Sequence, residues 1–428
     1  MELMNAKGTR DFPPEEKIIR QQVIDRLRAI FELYGYSPLE TPILERFDIL
    51  ASKYAGGDEI LKETFKFNDQ GERDLGLRYD LTIPFARFVG MNPTLKMPFK
   101  RYQIGEVFRD GPIKLGRFRE FLQCDVDIVG TKSMLADAEC IRIAQAFFKD
   151  IGFDVIIEVN NRKLLDGILE SLGIPQDKWT DVILGIDKLK KIGVKGVEEE
   201  LKQKGIEGKE IDALLRVLKT EGKNSEKVEK LRKFLKSQKG IEGLNELEEL
   251  FSYTYGKNVV FSISLARGLA YYTGTVFEVF MSKGEFTSSL AGGGRYDKMI
   301  GEMLGTGREY PAVGISFGIE PITAMLKVAK KEIKKTVTQI YIIPIKTAKK
   351  CIDIAQKLRA EGINVDMDLA ERGISKNLDY ANSLGIPYVL FVGEQELKAN
   401  KVKLRDMKTG KEKMAAVDSV AKYINNKI

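Results

Sequence analysis

Residues 100–129 read KRYQIGEVFRDGPIKLGRFREFLQCDVDIV, two strand-like runs flanking a polar, glycine-containing loop. Lys100–Phe108 and Glu120–Val129 predict the arms of an antiparallel hairpin, with Arg109–Arg117 as the turn. Side chains along a strand alternate between faces, so Gln123, Asp125 and Asp127 share one face. An amide and two carboxylates side by side make a poor hydrophobic core and a suitable wall for a polar ligand.

Three more polar clusters lie in strand-rich sequence. Arg78-Tyr-Asp80-Leu-Thr82 reads as a strand with Asp80 and Thr82 on one face, ahead of a short helix from Ile83. Arg267, Tyr271 and Tyr272 fall within strand patterns that run from Val259 to Phe280. Gly292-Gly-Gly-Arg295-Tyr296-Asp297 precedes another strand, Pro311–Phe317. Singly, each has a bland reading: a surface ion pair worth about 0–1 kcal/mol, a glycine turn or bulge, a cross-strand tyrosine pair. Their concentration in one strand-rich region points instead to a pocket.

The flanking sequence sets the organisation. Ile18–Tyr34 spaces Ile19, Val23, Leu27, Ile30 and Phe31 for one helical face, after the start signal Asp11-Phe-Pro-Pro-Glu-Glu. Pro38 to Glu45 is extended and proline-interrupted, as suits an edge or interface strand. Ser133–Ile151 predicts a helix. Residues 185–250 are charge-dense and helical, an inserted module within a 1–330 domain. A charged linker at 331–337 leads to residues 338–428, where strands and helices alternate as in a small α/β domain.

Composition narrows the chemistry. None of the 428 residues is histidine, which excludes Ser-His-Asp and Cys-His catalysis and imidazole-ligated metals. No Gly-Lys-Ser/Thr phosphate loop occurs, so a nucleotide would be held by arginines and sheet residues. A metal, if used, must be held by oxygen ligands, and its ligands are left unknown. Three cysteines without paired spacing predict buried thiols in a reducing cytoplasm rather than disulfides. No apolar run approaches the roughly 18 residues of a membrane span, and residues 1–7 lack the apolar core of a signal peptide. The formal charge of +7 permits a polyanionic partner without demanding one.

Gly8-Thr-Arg-Asp-Phe-Pro-Pro-Glu, Phe108-Arg109, Gly116-Arg-Phe-Arg-Glu-Phe-Leu-Gln123-Cys-Asp-Val-Asp127, Leu265-Ala-Arg-Gly-Leu-Ala-Tyr-Tyr-Thr-Gly and Ala291-Gly-Gly-Gly-Arg-Tyr-Asp occur in that order. Together they resemble the histidyl-tRNA synthetase family of class II aminoacyl-tRNA synthetases over nearly the whole chain. The resemblance implies an α+β fold: an antiparallel-sheet catalytic domain with a helical insertion, and a C-terminal α/β anticodon-binding domain. It implies a homodimer built partly through the first helix and the strand near Pro42. The implied reaction joins histidine and ATP, with Mg²⁺, into histidyl-adenylate and transfers the histidyl group to the 3′ end of tRNA(His).

By motif, Asp80 and Thr82 bind the substrate's ammonium, and Gln123 and Arg109 sit beside the carboxylate and α-phosphate. Asp127 and Tyr272 face the imidazole, with Tyr271 and Tyr296 in the same histidine pocket. Arg267 reaches the α-phosphate and carboxylate and, with Arg109, is catalytic. Phe121 stacks on adenine, and Arg117 completes the ATP site. The chain differs from the family pattern at Ala270, normally an acid, and at Pro321, normally an arginine on the ATP γ-phosphate. Arg295 and Arg117 are the cations expected to take over that clamp. A second reading is a synthetase-like regulator that binds histidine without charging tRNA, such as the regulatory subunit of ATP phosphoribosyltransferase. Those regulators typically lack the C-terminal domain, so residues 338–428 and the retained Arg267 favour the ligase.

Overall fold

The computed structural model describes residues 2–52, 61–113, 118–206, 208–268, 271–284, 286–329 and 334–427. Two compact units emerge, Met1–Arg10 with Val23–Ala329, and Asp11–Gln22 with Lys330–Ile428.

In the first unit the hairpin forms as the alternation predicts. Phe99–Phe108 and Glu120–Val129 pair antiparallel, with Arg101 opposite Asp127, Gln103 opposite Asp125 and Gly105 opposite Gln123. On its other edge, Glu120–Val129 pairs antiparallel with Ala312–Gly318, which sets Ser316 opposite Asp125 and Gly314 opposite Asp127. Ala291–Arg295, Thr275–Met281 and Val155–Asn161 continue the antiparallel sheet. Short parallel strands, Ser37–Pro38 and Val259–Phe261, finish its two edges. Pro38 has no N–H to give a ladder and belongs at an edge. Directly paired residues share a face. One row therefore crosses the sheet from Glu278 through Gly292, Ser316 and Asp125 to Gln103.

The opposite face is the core. Cys124, Val126, Ile315, Phe317, Phe277, Val279, Ile157 and Val159 are buried there. Helix Met134–Asp150 covers them with Cys140, Ile141, Ala144, Phe147 and Phe148, and the ring of Phe317 lies 5.6 Å from Phe147 and 5.7 Å from Phe31. Each such side chain contributes about 1.5–3 kcal/mol on burial, so the polar face is the one left to carry function. The run of α-helices begins at Arg162–Ser171 and ends with Gln238–Tyr253. In Gly208–Leu218 the buried set Ile211, Leu214, Leu215 and Leu218 forms a single stripe, while the charged residues stay outside. A separate three-stranded sheet joins Leu44–Arg46, Asp74–Leu77 and Lys66–Asn68.

In the second unit, Val365–Met367, Ile340–Ile345 and Tyr388–Gly393 run parallel, followed by antiparallel Val402–Asp406 and Glu412–Ala415. Helices Ala348–Ala360 and Val417–Asn425 share one apolar cluster with the sheet, and helix Ile374–Ser383 contributes to another. The first three strands and first two helices follow the expected alternation; the last two strands had no distinct signal. All three cysteines are buried and none is in a disulfide, and no described helix is long and apolar enough to cross a membrane.

Candidate active site

The polar face of the large sheet floors an open cavity of about 1660 Å³. Asp80, Thr82, Gln123, Asp127, Tyr271, Tyr272 and Tyr296 border it, with Arg109 and Arg267. A recess of about 390 Å³ shares Arg109, Gln123 and Arg267 with the cavity and adds Phe121. The space exceeds the roughly 300–1,000 Å³ of a pocket for one small ligand and accommodates two substrates. Arg117 lies outside the described residues, as does Ala270.

Several local expectations change. Asp80 and Thr82 are not neighbours on a strand: the strand ends at Leu77 and Thr82 opens helix Thr82–Met91. Oδ1 of Asp80 accepts hydrogen bonds from the backbone N–H groups of Thr82 (3.0 Å) and Ile83 (2.9 Å). Satisfying the first free N–H groups starts a helix, and this capping overrides the two-residue period. Arg267, Tyr271 and Tyr272 likewise sit in a loop between Val259–Phe261 and Thr275–Met281. The Asn160 amide anchors that loop by donating to the Ile263 and Leu265 carbonyls, both at 2.9 Å.

The triple glycine is neither turn nor bulge but strand Ala291–Arg295, and close approach explains it. A Cβ on Gly292 would fall 1.6 Å from Nη1 of Arg267 and 2.7 Å from its Cζ, so the end of the guanidinium rests on bare backbone there. Arg267 Nη1 donates to the Phe277 carbonyl at 3.2 Å. Burial works against its charge, but Tyr272 and Glu278 hold its pKa above the ordinary value. One strand over, a Cβ on Gly314 would lie 2.0 Å from Oδ1 of Asp127. The sheet is thus pared to backbone under the two side chains with the largest expected roles.

Arg101, absent from the sequence-predicted set, stands on the same sheet face directly opposite Asp127 and is wholly buried. Its Nη2 pairs with Oδ2 of Asp127 at 2.6 Å and donates to the Leu81 carbonyl at 3.2 Å, and the guanidinium lies 4.3 Å from the Phe85 ring centre. The Tyr296 hydroxyl donates to Oδ1 of Asp127 at 2.5 Å. Burial pushes the Asp127 carboxyl upward, opposed by Arg101 and Tyr296. The rings of Tyr271 and Tyr272 are 4.8 Å apart, and Tyr271 meets Tyr296 edge-on at 6.2 Å. Asp125 is 4% exposed, and burial raises its carboxyl to about 7, with Arg101 lowering and Asp127 raising it further.

Arg109 lies over two rings, 4.2 Å from Tyr79 and 4.9 Å from Phe121. Its Nε donates to the Tyr79 carbonyl at 3.4 Å. Arg295 does not replace the missing phosphate clamp. Its side chain leaves on the core face, where it pairs with fully buried Asp137 and, at 3.3 Å, with Asp297. Burial disfavours its charge, but Asp137 and Asp297 raise its pKa, so this guanidinium is committed to the fold. Pro321, Ala324, Lys327 and Val328 bring one face of helix Ile319–Val328 to the cavity. That spacing puts Lys327 at the same wall as Pro321, a placement visible only once the helix is aligned.

With this geometry in place, similarity to known proteins is informative. Residues 8–322 match the family model for histidyl-tRNA synthetase. The chain belongs to the histidyl-tRNA synthetase family. Residues 339–427 match the anticodon binding domain. Histidine–tRNA ligase 1 of Bacillus cereus is 46% identical over 99% of this chain and 100% of its own length. Histidine–tRNA ligase of Aeropyrum pernix is 39% identical over 91% of this chain and 90% of its own. The crystal structure of histidyl-tRNA synthetase from Nostoc sp. PCC 7120 superposes with a TM-score of 0.88 at 30% identity, covering 100% of both chains. The full-length likeness to histidyl-tRNA synthetases, second domain included, disfavours the regulator.

Proposed function

We propose that this synthetase joins histidine and ATP into histidyl-adenylate and pyrophosphate, then transfers the histidyl group to the 3′-terminal adenosine of tRNA(His). The observation that carries the proposal is the end of the Arg267 guanidinium resting on Gly292, on the same sheet face as Gln123 and Asp127, in a cavity lined by three tyrosines. The substrate carboxylate is already an anionic nucleophile, so no general base is needed, and a chain without histidine can run the reaction. As that oxygen attacks the α-phosphate, negative charge grows on phosphorus-bound oxygens. Arg267 and Arg109 meet it from fixed positions, where preorganised donors are most effective. Pyrophosphate leaves as the P–O bond to it breaks.

Histidine is selected at the other end of the cavity. Asp127, held by Arg101 and Tyr296, accepts from the imidazole N–H beside Tyr272. A substrate lacking that donor leaves buried polar groups unpaired, the situation in which sites reject analogues by about 10⁴–10⁵. Asp80 and Thr82 approach the ammonium from above, and adenine stacks on Phe121. Mg²⁺ enters as the counter-ion of ATP. Among the described residues no three carboxylates or thiols converge into an ion cage. Glu320, on the cavity wall, offers the carboxylate such an ion would meet. The second domain reads the anticodon through its nucleotide-facing surface, and the protein works as a cytoplasmic homodimer. ATP–pyrophosphate exchange that depends on histidine, and on no other amino acid, tests the first step. Absence of exchange with histidine bound would return the chain to the regulator reading.

A further inference from the structure

Asp125 carries no role in the scheme above, yet it borders the cavity. Its carboxyl is buried, and its Oδ1 has no hydrogen-bond partner among the described residues. The rest of the group is held in place. Nε2 of Gln123 donates to Oγ of Ser316 at 3.0 Å, and the Ser316 hydroxyl in turn hydrogen-bonds the Asp125 carboxyl. A buried acceptor left open costs free energy unless a ligand fills it. Oδ2 of Asp127 also lacks a hydrogen bond but forms a 2.6 Å ion pair with Arg101, and its Oδ1 accepts from Tyr296; Oδ1 of Asp125 has neither kind of partner among the described residues.

The sheet register supplies the ligand's chemistry. Asp125, Ser316 and Gly292 form one cross-strand row, and the Arg267 guanidinium lies over Gly292. Adjacent strands are about 4.8 Å apart, so the backbone positions that carry the anion and lie under the cation are roughly 10 Å apart. An α-amino acid bridges such a gap: two charge-assisted bonds of about 2.8 Å plus about 3 Å between carboxylate and ammonium total roughly 9 Å. We propose that Asp125 binds the α-ammonium of the amino-acid substrate while Arg267 holds its carboxylate. The amino acid then lies across Ser316, and its side chain points along the strands toward Asp127 and Tyr296. Asp125 thereby becomes a substrate-binding residue in addition to Asp80, one of whose oxygens is occupied in capping a helix.

This deepens the histidine-activating reading and rests on it, so the test uses binding rather than turnover. Calorimetric titration of the full-length protein compares histidine with imidazolepropionate, which lacks only the ammonium. Asp125→Asn should weaken histidine about 10- to 100-fold, the range for a hydrogen bond to a charged group, and leave imidazolepropionate within twofold. Asp125→Ser serves the same comparison should the asparagine variant not fold. The groups facing Asp125 are Arg101, Arg78, Gln103, Ser316, Asp127, Asp80 and Tyr272. Its carboxyl must be ionised to pair with the ammonium. Histidine affinity should therefore fall as pH drops through about 7 in the parent and fall less in Asp125→Asn. Unchanged histidine affinity in both variants, or equal weakening of both ligands, overturns the assignment. Exchange activity of the parent, measured separately, decides the histidine-activating reading whichever way the titration falls.

Discussion

Replacing Gly292 by alanine isolates the placement of Arg267. The new methyl carbon would fall 1.6 Å from Nη1. Ordinary contact needs about 3.5 Å, so the guanidinium must move by roughly 2 Å. The obstructing atom is the far end of a flexible side chain rather than backbone, so the strand survives. Unfolded-chain entropy even favours alanine by about 0.4–1 kcal/mol. Moving a charge-stabilising group by even 1 Å can cost about 10²-fold in rate. Gly292→Ala should therefore lower kcat for histidine-dependent ATP–pyrophosphate exchange by about 10²-fold or more while the thermal midpoint stays within a few degrees of the parent. Exchange kinetics and scanning calorimetry on one preparation read both quantities. Full activity with a normal midpoint would refute the placement of Arg267 as a catalytic group. A collapsed midpoint would refute the claim that only a side-chain tip is displaced.

Three further outcomes follow from the same floor. Asp127→Ala leaves the buried Arg101 without its carboxylate and should cost about 3–5 kcal/mol of stability in denaturant titration, in addition to raising the KM for histidine far more than that for ATP. Asp125 acts on stability with the opposite sign. Its folded pKa is about 7 against about 3.9 unfolded, so the folded state keeps the proton longer and stability drops as pH rises from about 4 to about 7. Asp125→Asn should therefore have a higher unfolding midpoint than the parent at pH 8, a gap that closes near pH 4 and narrows with saturating histidine. Pro321→Arg puts a cation on the wall shared by both cavities and should lower the KM for ATP about 3- to 30-fold without moving that for histidine; an unchanged ATP KM in exchange assays would place the triphosphate elsewhere.

The hairpin and its polar face were legible because a strand's period of two is a local property. Gln123, Asp125 and Asp127 must share a face wherever the strand lies, and Val126 and Cys124 must then meet the core. The alternating α/β order of residues 338–393 was equally local. The helix cap at Asp80 misled the same rule, since an aspartate two residues before Thr82 competes with the strand for the backbone N–H groups. Nothing local distinguished Arg295, locked to Asp137 on a helix 158 residues away, from Arg267, which faces the cavity. Both sit in glycine-rich, tyrosine-containing sequence.

From the sequence alone came the residue types, the faces of individual strands and the exclusion of imidazole chemistry, because those depend on composition and on spacing within one segment. Tertiary structure decided which strands lie side by side, and so which charges meet. Arg101 became the partner of Asp127, Gly292 the bed of Arg267, and Asp125 the open acceptor only through the registers of neighbouring strands. Those registers are set by burial of the opposite, apolar face, where a slip of one residue would turn every core side chain to water.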